Sequence, residues 1–466
     1  MGKFKSLISD TLIFGIGNFT VKFLYFVLMP IYTLSLSSDE FGLADLLNNT
    51  LQFLVPILTL SISDAVFRFM LDKNADKDAL LSNGFYVLAG GFVVVALGVV
   101  LLSFFVYLET YWFYFVLWYV VEALRILFSQ YTRAEGKLWT FSLNGIIGAL
   151  VLLISTYFFV YERKFGVNGY ILSFIVSGIA SILFLALRVS FVKRIKWKKV
   201  NRAILAMMLA YSLPIIPNML SWWFTNISSR YVIAGFCGLS IAGLFSSASK
   251  LPALLNIVTS VFQQSWQIAS VREYQESRNS VFFERVFRKY SFLCLFACSV
   301  MIALVPYISK IVLQGEFYQA WVYTPMLLFS ALLGCYSTFF GTFYSVVKDN
   351  VRGMKSTILG ACANVGLCIC TVPFIGVAGA LIANAVSYFI IVMIRIKDVR
   401  QYIYFPIKYS CFISSLLICL VQAIVLSIDL SVGICVSVLS IAMTLFLNWR
   451  ELLEVFAVLK IKSRRQ

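Results

Sequence analysis

The chain has 466 residues, 61% of them apolar or aromatic and only 13% charged, with a formal net charge of +17. Ordinary globular domains run nearer 45–50% apolar and about 25% charged, so this composition excludes a soluble cytosolic enzyme. The absence of histidine removes Ser-His-Asp triads, His-paired cysteines and His-ligated zinc or haem, and with no polar module to carry a basic footprint no nucleic acid partner is expected.

At roughly 20 residues per crossing, this apolar content suffices for about fourteen membrane-spanning helices. Lys3, Lys5 and Asp10 precede the first apolar run, which is too long for a signal peptide and lacks a small-residue cleavage site, so it reads as a retained first span. In chain order the spans are expected near 11–35, 41–65, 84–107, 111–131, 139–161, 168–192 and 204–229. Seven more follow near 239–266, 289–313, 320–347, 354–374, 376–396, 407–428 and 431–448. The expected fold is therefore an all-α integral membrane protein of about 14 transmembrane helices. The ten cysteines fall in apolar runs without a CxxC pair and read as small buried packing residues, and neither a metal nor another cofactor is expected.

The basic residues orient this pattern. With the N-terminus inside, 32 of the 38 Lys and Arg fall on inside segments or on the inner parts of the spans that flank them, and only Lys22, Arg163, Lys164, Arg230, Lys250 and Lys310 do not. Cytoplasmic segments carry such an excess, so both termini are expected inside. Reporter fusions at Lys73, Lys196, Arg278 and the C-terminus should all report the cytoplasm; a single external report breaks the topology. The segment from Lys193 to Arg202 is the richest in charge and reads as a linker at the headgroup surface, without a substrate role.

Two sequence marks repeat. Leu36-Ser37 with Gly42-Leu43 recurs as Leu239-Ser240 with Gly243-Leu244, and Gly166-Val167-Asn168-Gly169 recurs as Gly376-Val377-Ala378-Gly379, in the same order and at similar spacing. The organisation expected is two parallel six-helix lobes, 1–199 and 200–403, followed by a helix pair and basic tail, 404–466. Parallel repeats place a transported substrate between lobes. Pro56, Pro214, Pro217 and Pro252 lie inside the second, seventh and eighth spans and suggest bends.

A charged side chain at mid-bilayer costs roughly 2.5–3.5 kcal/mol on insertion scales and marks a functional candidate. Lys22 lies mid-span with Asn18 and Tyr25 a turn to either side; Trp222, Asn226 and Arg230 follow at i, i+4 and i+8; Lys250 lies in the eighth span. In the repeat arrangement these line one cavity, with the amides Asn48, Asn49, Gln52, Asn256, Gln263, Gln264 and Gln267 continuing it. The candidate substrate-binding residues are thus Lys22, Arg230, Lys250, Asn18, Asn49, Trp222, Asn226 and Asn256, with no catalytic residue among them. An amide-rich cationic cavity suits a sugar bearing a phosphate. Snorkelling of the lysines and helix–helix hydrogen bonding by the amides are the alternatives. Glu122 and Arg125 read as a local ion pair, and Asp64 as a structural acid near Arg68.

The residues then match a known pattern. Pro30-Ile31-Tyr32 through Gly42, with Asp64-Ala65-Val66-Phe67-Arg68-Phe69, resembles the start of Wzx-type polysaccharide flippases. So do Ser221-Trp222-Trp223 through Ser229-Arg230-Tyr231, Gly238-Leu239-Ser240, Gly243-Leu244-Phe245-Ser246 and Lys250-Leu251-Pro252. Ala320-Trp321, Tyr323, Pro325, Gly341, Tyr344, Gly376-Val377-Ala378-Gly379, Tyr388 and Arg395 resemble the family's second lobe. The likeness runs from about residue 7 to 403. It implies the MATE-like fold of the multidrug/oligosaccharidyl-lipid/polysaccharide exporter (MOP) superfamily in a bacterial cytoplasmic membrane. It also implies passage of undecaprenyl-pyrophosphate-linked oligosaccharide across the bilayer for O-antigen or capsule, a transporter rather than an enzyme, with a polymerase and a chain-length regulator as further partners. Ser229 stands where the family often has an acid before Arg230. A multidrug exporter of the same superfamily should carry an acid deep in the first or seventh span, which neither offers, and a polytopic glycosyltransferase or polymerase should carry larger external loops.

Overall fold

The computed structural model describes residue 24 and residues 26–72, 75–103, 111–276, 280–347, 349–403 and 409–449. Among them there is no strand, and eleven helices are long and apolar enough to cross a membrane. The protein is a multi-span helical membrane protein. The physical reason is that hydrocarbon offers no partner for a bare N–H or C=O, so an apolar run closes its own hydrogen bonds as a helix.

In chain order the described helices, short ones included, are α1 (Phe26–Ser35), α2 (Ser38–Leu58), α3 (Ile62–Met70), α4 (Lys77–Ser103) and α5 (Trp112–Ala134). Next, α6 (Leu138–Thr156) continues into a π-helical turn, Tyr157–Glu162, followed by α7 (Gly166–Val189) and the short α8 (Phe191–Arg194). After a 3₁₀ turn, Trp197–Lys199, come α9 (Arg202–Ser212), α10 (Ile215–Cys237), α11 (Leu239–Ala248), α12 (Ala253–Glu276) and α13 (Ser280–Val312). A second 3₁₀ segment, Gly315–Tyr323, leads to α14 (Thr324–Val346), α15 (Asn350–Ile375), α16 (Val377–Tyr402), α17 (Tyr409–Ile428) and α18 (Leu430–Leu447).

Three expected spans differ from the eleven. Most of the first lies outside the described residues, the eighth is split into α11 and α12, and the thirteenth leaves the shorter apolar helix Phe412–Ile428. The prolines account for the interruptions. Pro214 sits in the break between α9 and α10 and Pro252 in the break between α11 and α12, while Pro56 lies in the last turn of α2, just before Leu60 and Ser61 take left-handed φ of +51° and +49°. A proline cannot donate a backbone hydrogen bond and its ring crowds the preceding turn, so the helix ends or bends there.

The chain divides into two compact units, Met1–Trp223 and Phe224–Gln466, the division falling inside α10. In the first, α6 and α7 form a hairpin against which α5 packs, and α3 lies on α5. In the second, α15 and α16 pair, α14 packs on α16 and α12, and the α17/α18 hairpin lies on α13. That last docking is polar at its centre. Gln422 is fully buried, donating to Ser299 O (2.8 Å) and accepting from Ser299 Oγ (2.7 Å), while Ser427 Oγ donates to Val322 O (2.8 Å). Cys294, Cys298, Cys335, Cys368 and Cys419 are buried as expected for packing residues, but Cys362, Cys370 and Cys435 are exposed on outward helix faces, where an apolar thiol is compatible with lipid.

The two Gly-Val-x-Gly marks adopt one local geometry. Gly166 and Gly376 have φ of +57° and +58° at the starts of α7 and α16. Gly169 and Gly379 each touch the end of the preceding helix so closely that a Cβ would lie 2.8 Å from Phe159 O and 2.8 Å from Val372 N, respectively.

The basic linker is pinned to unit 1, which its charge alone, suited to a headgroup surface, does not foretell. Lys196 N–H donates to Ser82 Oγ (2.9 Å), Asn201 N–H to Asn83 Oδ1 (3.2 Å), and Trp197 packs edge-on against Phe85 and Tyr86. Lys196 pairs with Asp78 (3.2 Å), Lys199 with Asp76 (3.0 Å), and Arg194 reaches Tyr131 and Glu135. The Lys199 ammonium hydrogen-bonded to Asp76, helped by the Ala79 amide, holds that carboxyl below the usual carboxylate range. A carboxyl lowered in the folded state contributes stability above its unfolded pKa of about 4, and that contribution is lost as pH falls through the lowered value. Asp76→Asn should therefore accelerate tryptic cleavage between Lys196 and Lys199 at neutral pH several-fold, and acidification below about pH 4 should release the wild-type linker. An unchanged cleavage rate for Asp76→Asn removes the pin.

Candidate substrate-binding site

The candidate residues divide between the two units, and Asn18 and Lys22 lie outside the described residues. In unit 1 the polar stripe of α2 is used within the unit. Asn49 is buried, its Nδ2 donating to Asp45 O (2.7 Å) and Asp45 Oδ2 (2.8 Å), and its carbonyl accepts from Trp223 Nε1 (3.0 Å). One residue earlier, Asn48 Nδ2 donates to Tyr170 Oη (3.2 Å) and its Oδ1 accepts from Gln52 (3.3 Å). Tyr170 in turn belongs to a ring cluster with Tyr32, Trp118 and Phe174. Trp222 is half-buried, and it is its neighbour Trp223 whose indole reaches α2, packing on Phe53 at 4.6 Å between centroids.

In unit 2 the helical register of α10 carries Asn226 and Arg230 one turn apart. Asn226 Oδ1 accepts from Tyr388 Oη, and Arg230 is half-buried. Lys250 is half-buried in the break between α11 and α12, where its N–H bonds to Ser247 O (3.1 Å) just before Pro252. The break keeps its own local bonds, Leu254 N–H to Leu251 O (3.0 Å) and Leu255 N–H to Pro252 O (3.1 Å), outside the regular helical ladder. Asn256 is exposed one turn into α12, with its carbonyl accepting from Thr259. Gln263 is instead a bridge between helices, donating to Tyr290 Oη (3.3 Å) and accepting from Thr342 (3.4 Å).

Two groups of residues escaped the sequence reading. Asn364 and Asn384, in α15 and α16, meet α10 in a buried polar knot. Asn364 Nδ2 donates to Thr225 O (2.6 Å) and Asn384 Oδ1 (2.9 Å), and Ser229 Oγ bonds to both asparagine oxygens at 3.2 Å. Their signal was the one used for Asn48 and Asn49, an amide inside an apolar helical run. Arg395, noted only as part of the resemblance, is 4% exposed and donates to Ser356 Oγ (3.0 Å), Ser337 O (2.7 Å) and Thr357 Oγ1 (2.9 Å), with its guanidinium over the Tyr344 ring. The intramembrane acids are placed as follows. Glu122 and Arg125 form a two-pronged pair (2.8 and 2.6 Å) as expected, whereas Arg68 pairs with Asp72 (3.0 Å) and Asp64 accepts from Gln130 (3.5 Å).

No protein-family model matches the chain, and no curated protein matches it significantly. Solved structures do match. The inward closed conformation of the lipid II flippase MurJ superposes with a TM-score of 0.69 at 16% identity, covering 95% of this chain and 100% of that one. An inward-facing multidrug resistance MATE family transporter of the MOP superfamily gives 0.68 at 15% identity, covering 82% and 95%. A MOP superfamily transporter from Pyrococcus furiosus, whose binding pocket is described as reversed in polarity, gives 0.58 at 18% identity, covering 85% and 96%. The chain shares the fold of these solved structures.

Proposed function

We propose that this chain is a flippase carrying a polyprenyl-pyrophosphate-linked oligosaccharide across a bacterial cytoplasmic membrane by alternating access. The carrying observation is the sign of its intramembrane charge. From Arg202 to Cys237 there is no acidic residue, while Arg230 lies in α10 and Lys250 in the break that follows α11. Cations held at membrane depth call for an anionic ligand, and a pyrophosphate headgroup supplies one while its polyprenyl chain stays in lipid. The amides along α2 and α12 offer donors and acceptors to sugar hydroxyls. O-antigen or capsule is the product class that fits, with a polymerase and chain-length regulator acting after transport.

Alternating access requires that the two states bind the head group unequally. Lys22→Ala, Arg230→Ala and Lys250→Ala should each lower transport of lipid-linked oligosaccharide in reconstituted vesicles about tenfold, equivalent to about 1.4 kcal/mol, with the protein still folded and inserted. Full transport in all three removes the assignment. The multidrug reading is favoured by one observation, the MATE neighbours, and is tested in the same vesicles: uptake of a lipophilic cation with no lipid-linked transport would establish it.

A further inference from the structure

Unit 1 contains an open depression of about 340 Å³ lined by Glu40, Tyr111, Tyr114, Lys164, Gly166 and Asn168. It lies where α5 begins and the π-helical extension of α6 ends. The basic linker is pinned near the other end of α5, through Arg194 to Tyr131 and Glu135. A 23-residue α5 at 1.5 Å per residue separates the two ends by about 35 Å. The charge pattern that places the linker inside therefore places the depression at the outer surface.

The site is held rigidly. Phe165 N–H bonds to Phe159 O (3.0 Å), Arg163 N–H to Phe158 O (3.0 Å), and Glu40 Oε2 accepts from Ser37 N–H (2.9 Å) in the capping box of α2. The absence of a side chain at Gly166 lets the turn lie on the other oxygen, since a Cβ there would sit 2.5 Å from Glu40 Oε1. Interruptions of π type recur beside functional sites, and this one, with exposed Tyr157, Phe158 and Tyr161, leads directly into the lining residue Lys164.

The chemistry of the lining is mixed in sign. Glu40 accepts hydrogen bonds. Asn168 Oδ1 is shielded from solvent and has no hydrogen-bond partner among the described residues, so it lacks a donor. Lys164 is exposed, donates and forms no ion pair among the described residues, and the two tyrosines supply hydroxyls and ring faces. A carboxylate ligand would meet Glu40 and an ammonium ligand would meet Lys164. A neutral ring with several hydroxyls satisfies both at once, donating to Glu40, accepting from Lys164, meeting the Asn168 side chain at the wall and laying its C–H face on tyrosine. The volume falls at the small end of ligand sites, the size of one or two sugar rings. We propose that this depression is a saccharide-binding subsite for an uncharged sugar, contacted by the oligosaccharide as it reaches the outer leaflet; that last clause rests on the flippase reading, the subsite itself does not.

The test uses the full chain in lipid nanodiscs and soluble, lipid-free methyl glycosides, with saturation-transfer NMR and titration. Methyl glycosides of glucose, galactose or N-acetylglucosamine should bind with millimolar affinity, and those of glucuronic acid and glucosamine at least tenfold more weakly. Asn168→Ala and Tyr114→Ala should weaken the best neutral glycoside tenfold, and Lys164→Ala, at an exposed position that leaves the fold intact, should improve binding of the glucosaminide. Binding of no glycoside, equal binding of charged and neutral ones, or binding indifferent to Asn168→Ala and Lys164→Ala overturns the subsite. Transport of lipid-linked oligosaccharide is measured separately: its absence with glycoside binding intact overturns the flippase reading alone, and its presence with no glycoside binding overturns the subsite alone.

Discussion

Replacing Arg395 by alanine is expected to lower the stability of the folded protein by about 3–5 kcal/mol, the combined effect of a large-to-small cavity and of three buried hydrogen bonds lost. The guanidinium is buried inside a membrane-spanning helix, where an unsatisfied charge is costly, and it is retained because three hydrogen bonds and the Tyr344 ring face replace its water. Its removal takes one hydrogen bond each from Ser337 O, Ser356 and Thr357, on two neighbouring helices, although the two hydroxyls keep their bonds to Gly353 O (2.7 and 3.1 Å). Lysine should rescue little, because a single ammonium cannot reproduce a planar fork that reaches two helices at once. Gly341 supplies the space: a Cβ there would press on Nη1 and lie 3.3 Å from Cζ. Gly341→Ala alone should cost about 1–3 kcal/mol, but in the Arg395→Ala background its methyl enters the vacated volume and should cost little or help. A detergent-solubilised thermal melt of the four proteins measures this coupling. Strict additivity would mean that the two residues do not share the site.

The same pair shows what sequence carries and what it withholds. Gly341, Tyr344 and Arg395 stand out as marks of a resemblance, yet nothing in their spacing says that a glycine makes room for a guanidinium two helices later in the chain. Helices were legible because hydrocarbon forces every apolar run to close its own hydrogen bonds. Breaks were legible through Pro56, Pro214 and Pro252. Pairings at long separation were not: Asn226 is satisfied by Tyr388, and Ser229 by Asn364 and Asn384, and an amide inside a span reads the same whether it faces a ligand or another helix. The division of the chain shows the difference between composition and packing. Charge changes at the linker around residue 199, whereas compactness divides after Trp223, because that indole reaches back to the Asn49 carbonyl and to Phe53. Of the candidate cations, Arg230 is half-buried within α10 and Lys250 half-buried in the break between α11 and α12, and periodicity alone does not distinguish that break from a regular span.

Gly169→Val and Gly379→Val are each expected to cost about 3 kcal/mol, the upper part of the usual overpacking range. Side-chain atoms stand in the way too, Thr371 Oγ1 at 2.6 Å from the Gly379 position and Phe165 Cβ at 3.1 Å from that of Gly169, but both positions also meet backbone: Phe159 O and C at 2.8 and 3.1 Å, and Thr371 C and Val372 N at 2.8 Å. A side chain can swing aside, but these atoms belong to the end of the partner helix, so the α6/α7 or α15/α16 hairpin must open. The residue three positions earlier acts by a different route. Gly376 has φ +58° and ψ −138°, a region essentially closed to other residues, and alanine there should cost about 1–3 kcal/mol through backbone strain alone. Gly366 is the internal control. It lies in the middle of α15, where an added methyl group would meet nothing within 4 Å, so Gly366→Ala should be neutral or stabilising by up to about 1 kcal/mol from helix propensity. Midpoints of SDS or thermal unfolding for Gly169→Val, Gly379→Val, Gly376→Ala and Gly366→Ala separate the three mechanisms. If Gly379→Val and Gly366→Ala shift the midpoint equally, close approach is not what holds these hairpins. If only one of the two valine variants is destabilised, the Gly-Val-x-Gly turns share a sequence and a φ value but not a packing role.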